Sequence, residues 1–146
     1  MYSPILLPVV ALVGWTIIML IWALMARGAE MRRIGIDLMT QRGSTPGGMD
    51  GVLADPAQWK MHNYNHLTEQ PSLFYAICIV IALTGTGAGL NAALAWAYVA
   101  IRIAHSMVQG TSNIIRYRVG LFVLSTLILL MLTVHAGLAI LWHGGA

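Results

Sequence analysis

Four apolar runs limit what this chain can fold into. They extend from Ile5 to Ala26, Pro71 to Gly87, Leu90 to Gly110 and Val119 to Trp142. A helix needs about 20 apolar residues to cross a hydrocarbon core of ~30 Å. The first and fourth runs meet that length alone. The second is lengthened backwards by MHNYNHLTEQ, and the third reaches it if its polar residues face inward. The chain is 58% hydrophobic and only 9% charged, with a mean hydropathy of +0.75. In water it would expose too much apolar surface, so the expected solvent is a membrane. The expected fold is all-α, a single transmembrane four-helix bundle. Its spans fall at 5–26, 64–86, 90–110 and 118–142, with a loop over 27–55.

Charge and cysteine content exclude other classes. The eight Lys and Arg residues are scattered and give a formal net charge of +3. That is no footprint for nucleic acid. Cys78 is the single cysteine, so no intrachain disulfide can form. Within its apolar run it reads as a small core residue. The N-terminal MYSPILLPVV has no basic leader and no small-residue cleavage site, which predicts a retained span.

The connections differ in kind. TGTGAGLN and GTSN are short, whereas the first connection holds the Gly-, Ser-, Thr- and Pro-rich TQRGSTPGGMDG, expected to be a flexible loop. Asp55-Pro56 predicts an N-cap followed by proline at the first helical position, and so the start of the second helix. Arg27, Arg32, Arg33, Arg42 and Lys60 lie in the first connection, and Arg116 and Arg118 follow the third span. Those connections share one side of a four-span protein, and the termini carry no Lys or Arg. The excess of basic residues therefore predicts cytoplasmic loops and external termini.

Arg102 is the most informative residue. It lies eleven positions after Asn91, about 16 Å along a helix and near the middle of the core. A charge there must face protein or a water-filled cavity. Tyr98, Arg102, His105 and Gln109 recur at spacings of four, three and four, which places them on one helical face. Such a stripe fits the wall of an intramembrane site or a hydrogen-bonded seam between helices. On the second helix His62, His66 and Glu69 also share a face, extended by Trp59 and Leu73. Glu69 is the one acid within a span, at a depth comparable to Arg102, so an ion pair or shared network is expected. The same His-x-x-x-His-x-x-Glu face offers loose zinc-ligand chemistry, but from one helix only, and no metal site is assigned. His62 reads as an interfacial residue, His135 as a packing histidine and His143 as a terminal interfacial one. Arg116 and Arg118 suit either lipid headgroups or an anion at the mouth of the bundle.

These features resemble the MAPEG family, the membrane-associated proteins of eicosanoid and glutathione metabolism, and its bacterial branch in particular. The resemblance rests on four spans with a long first connection, the acid of EQPSLFYA, the R-x-x-H of IRIAHSMVQ, the arginines of NIIRYRVG, and the sixteen-residue spacing from Arg102 to Arg118. It implies a homotrimer in a bacterial inner membrane, with glutathione as co-substrate between neighbouring subunits, open to the cytoplasmic half. Carried over, Glu69 would bind the peptide's amino end or orient Arg102. Arg102, Arg116 and one of Arg27, Arg32 or Arg33 would hold its carboxylates. Arg118 would lie nearest the sulfur, and His66, His105 and Asn113 would complete the set. Nearby positive charge lowers a thiol pKa, and the thiolate would attack a lipophilic electrophile or peroxide. Two positions depart from the pattern. Many members have asparagine where this chain has His66, and tyrosine where it has Gln109; either change implies a weaker hold on glutathione or a loss of the activity. Two other functions fit the residues: a non-catalytic membrane scaffold or accessory subunit of the same fold, and a metal or lipid site at His62, His66 and Glu69.

Overall fold

The computed structural model describes residues 2–37 and 51–143. Four helices follow in order: α1 (Leu6–Arg33), α2 (Asp55–Leu83), α3 (Leu90–Gly110) and α4 (Ile115–His143). Among the described residues the structure is all-helical. α1, α2 and α4 are each long and apolar enough to cross a membrane. α3 is shorter and carries the polar stripe, but turns that stripe inward, burying Tyr98, Arg102, His105 and Gln109.

α1 runs seven residues past the end of its apolar stretch at Ala26. It ends where Gly35 takes a φ of 77°. There the Gly35 N–H donates to Arg32 O and the Ile36 N–H to Met31 O, a glycine-terminated helix end. The expected loop over TQRGSTPGGMDG lies almost wholly outside the described residues, as does Arg42. α2 starts one residue earlier than the sequence reading has it. Ala54 is the extended cap residue, and Asp55 sits in the first turn without making a side-chain cap bond. Its carboxylate there still complements the exposed N–H groups of the helix start.

The helices run up and down, so α1 ends beside the start of α2. The Glu30 carboxylate binds both Arg33, at 2.7 Å, and the Ala54 N–H, at 3.4 Å. The Arg33 guanidinium holds the Glu30 carboxyl below its ordinary pKa. α2 and α3 form the centre: each packs against the other and against both outer helices, whereas the backbones of α1 and α4 do not approach closely among the described residues. The core is apolar through one half of the bundle, with Ile5, Leu12, Phe74, Cys78, Ile81, Ala95, Leu132 and Ala136 all buried. Phe74 stacks on Tyr98 with ring centroids 4.2 Å apart. α1 and α3 approach closely at Gly110, where a Cβ would lie 2.6 Å from the Trp22 ring. On the other face of the bundle His135 and Asn91 meet at 2.7 Å, the satisfied packing histidine expected from the sequence. This topology brings Arg27, Arg32, Arg33, Lys60, Arg116 and Arg118 to one end of the bundle, here termed the basic end.

Candidate functional site

The polar interior lies in the half of the bundle nearer the basic end. Its centre is Arg102, completely buried on α3. One guanidinium nitrogen, Nη1, donates to Gln70 Oε1 at 3.0 Å. The other, Nη2, donates to the His66 backbone carbonyl at 2.8 Å. Pro71 lies inside α2 and lacks the N–H that the Leu67 carbonyl would accept, so the α2 ladder is interrupted beside this contact.

The expected pairing with Glu69 does not form. The Glu69 side chain is exposed, and it makes no ion pair with Arg102. His62 is exposed too, and His66 is half-buried. The His66 imidazole stacks on His105 at 6.3 Å between centroids, while its backbone serves Arg102. Rotating α2 by one residue explains the difference. The face turned into the bundle is Asn63, Leu67, Phe74, Cys78 and Ile81, which leaves His66 at its edge and His62 and Glu69 on the outside. The three do not form a ligand set: among the described residues no three His, Cys, Asp or Glu side chains could hold a metal ion.

A three-helix junction missed by the sequence reading lies beside Arg102. Asn63 Nδ2 donates to Ser106 Oγ at 2.8 Å, and Trp15 Nε1 donates to the same oxygen at 3.1 Å. In the sequence the Trp residues of the first span, Trp15 among them, read as lipid-facing or packing surface, because nothing in that apolar run distinguishes one from another. Gln70 was also missed. The available signal was periodicity: stepping back from Ile81 through Cys78 and Phe74 leads to Gln70 or Pro71, Leu67 and Asn63.

At the mouth of the bundle, Asn113 adopts a φ of 52° in the turn between α3 and α4. Its Oδ1 accepts from Arg118 Nη1 at 2.7 Å. Asparagine tolerates this left-handed conformation better than most residues. Arg116 is exposed and donates to the Tyr117 hydroxyl at 2.8 Å. Arg32 is exposed and donates to Gly28 O at 3.2 Å. The structure thus brings Arg102, His66 and His105 together and ties Arg118 to Asn113. It leaves Glu69, Arg116 and Arg32 on the outside of the single chain.

Six buried polar side-chain atoms have no hydrogen-bond partner among the described residues: Asn63 Oδ1, Tyr98 OH, Arg102 Nε, His105 Nδ1, Gln109 Oε1 and Arg118 Nε. Four belong to the single polar stripe of α3. Buried polar atoms are nearly always satisfied in native proteins. A run of orphans along one face therefore marks a place for water, ligand or another chain. The exposed side of α2 presents Asn65, Thr68, Glu69 and Ser72 within its membrane-spanning length, a surface that hydrocarbon solvates poorly.

The model of the MAPEG family matches residues 5–138. The chain belongs to the MAPEG family. MAPEG proteins are membrane proteins that generally use glutathione in transferase- or peroxidase-like roles and are generally trimeric. Family membership and the membrane-length helices together make this an integral membrane protein. No curated protein and no solved structure matches the chain.

Proposed function

We propose that the protein is a glutathione transferase or peroxidase of a bacterial inner membrane, acting on a lipophilic electrophile. One observation carries the reading: Arg102 is fully buried and no carboxylate among the described residues touches it. Its partners are an amide oxygen and a peptide carbonyl, so its positive charge is left for an anion. Glutathione has two carboxylates and an ionisable thiol, and suits a site with several arginines.

The co-substrate lies between copies of the chain, in a homotrimer. The exposed polar face of α2 supports this, since a second copy would cover Glu69 and the polar residues around it. Arg102, Arg116 and Arg32 bind carboxylates, Glu69 the amino group, and Asn113 holds Arg118 beside the sulfur. His66 and His105 form the wall between them. Positive charge beside the thiol favours the thiolate, with its proton passing to water. The thiolate attacks the electrophilic carbon, a C–S bond forms, and the leaving group departs with the bonding pair. The basic end, carrying the arginines, faces the cytoplasm, where excess Lys and Arg are retained.

The test is detergent-purified protein with glutathione and an activated aryl halide. The reading predicts saturable glutathione binding and conjugate formation, both lost in Arg102→Gln. Absence of bound glutathione and of conjugate in the wild-type protein would overturn it.

A further inference from the structure

Gln70 receives no role from the proposed chemistry, yet it is the side chain that grips Arg102. Its amide is engaged at both ends. Oε1 accepts from Arg102 Nη1 at 3.0 Å, and Nε2 donates to Thr126 Oγ1 on α4 at 2.7 Å. Thr126 in turn donates its hydroxyl proton to Phe122 O at 2.8 Å. The directions agree along the whole relay. The Thr126 proton is committed to a helix carbonyl, so its oxygen lone pair faces the amide. The amide must then present N–H to Thr126 and oxygen to Arg102. A flipped amide would set N–H against a guanidinium N–H and leave two donors facing each other.

The chemistry of this grip is unusual. Buried arginines are ordinarily paired with carboxylates. Here the next residue back, Glu69, is an acid, yet α2 turns it outward and turns its neutral neighbour inward.

We infer that Gln70 is a positioning residue that fixes the Arg102 guanidinium without neutralising it, with Thr126 setting the orientation of its amide, so that the full charge stays available to a bound anion. A glutamate at position 70 would hold Arg102 at least as firmly. It would also occupy with its own charge the place meant for the ligand's. Neutrality, rather than hydrogen-bonding capacity, is the property that matters at this position. The inference deepens the proposed function, since it assumes that Arg102 serves an anion, but it does not require that anion to be glutathione.

Four variants test it in detergent-purified full-length protein, with inorganic sulfate and glutathione as separate probes. Sulfate is read as the rise in unfolding temperature beyond that of Arg102→Gln at equal ionic strength, which removes its general salting effect. The wild type should show such a rise. Gln70→Glu should unfold without anion at or above the wild-type temperature, yet bind sulfate at least about tenfold more weakly, a loss of ~1.4 kcal/mol. Thr126→Val should weaken binding by about threefold through the loosened amide, and Thr126→Ser should restore it. The Thr126 pair carries the test if Gln70→Glu does not fold. Equal sulfate affinity in the wild type and Gln70→Glu, no sulfate effect in the wild type, or failure of serine to rescue Thr126→Val would each overturn the inference. A wild type that binds sulfate in this Gln70-dependent way but ignores glutathione would support the inference while refuting the glutathione reading.

Discussion

The two halves of the bundle are built on opposite rules. Towards the chain termini, the four helices close on an apolar core, and the polar side chains there are mutually satisfied: His135 meets Asn91, and Thr84 meets Thr86. Towards the basic end, the same helices enclose Arg102, His105, Ser106 and the amides of Asn63 and Gln109, and leave several of their polar atoms without a partner among the described residues. An interior that served stability alone would resemble the first half throughout, because each buried polar atom without a partner costs about 1–3 kcal/mol. The contrast separates a structural half from a half that keeps unfilled bonding capacity for something else. Natural proteins concentrate such costs at functional sites.

If the halves divide the work in this way, mutations in them should fail in different ways. The largest effect on stability belongs to the apolar half. Phe74→Ala removes a buried ring stacked on Tyr98 and should cost about 3–5 kcal/mol, read by thermal unfolding in detergent. Gly110→Ala lies where α1 meets α3 at the basic end. Its methyl must displace the Trp22 ring, so a cost of about 1–3 kcal/mol is expected, measured the same way. Asn91→Ala should follow at about 1–2 kcal/mol, by leaving His135 without its partner; glutathione binding should be unchanged, since the pair belongs to the satisfied half.

The smallest effect is at Glu30. The neighbouring Arg33 lowers its folded-state pKa, so its contribution is present above the ordinary carboxylate pKa. That contribution is lost as pH falls through the lowered value. Acidification, or Glu30→Gln at neutral pH, should speed amide exchange at the Ala54 N–H with little change in global unfolding. Unaltered exchange would mean that this contact does not hold the start of α2.

The sequence reveals these two halves unevenly. The α3 stripe was legible because an arginine eleven residues into an apolar helix has few places to go, and Tyr98, His105 and Gln109 share its period. The four-helix architecture was legible from run lengths and turn composition. The inner face of α2 was not. His62, His66 and Glu69 carry the more reactive side chains and fall on one helical face, but the apolar residues that define the core side, Phe74, Cys78 and Ile81, continue back to Leu67 and Asn63 instead. The direction of an amphipathic helix is set by its apolar period, and the polar residues beside that period follow. That period also leads back to Gln70 or Pro71, but the roles of Gln70 and Trp15 depend on contacts with Arg102 and Thr126 and with Ser106, which only the packing of the helices supplies.

Everything proposed for this site requires the buried Arg102 guanidinium to act as an anion site. The most direct measurement is the ultraviolet thiolate absorbance of glutathione titrated into the purified protein at neutral pH, in the wild type, Arg102→Gln and Arg118→Gln. The prediction is a saturable thiolate signal in the wild type. Arg102→Gln should lose it through lost binding, and Arg118→Gln should bind glutathione with the thiol left protonated. A wild type without the signal, or an Arg102→Gln protein that retains it in full, would contradict the account.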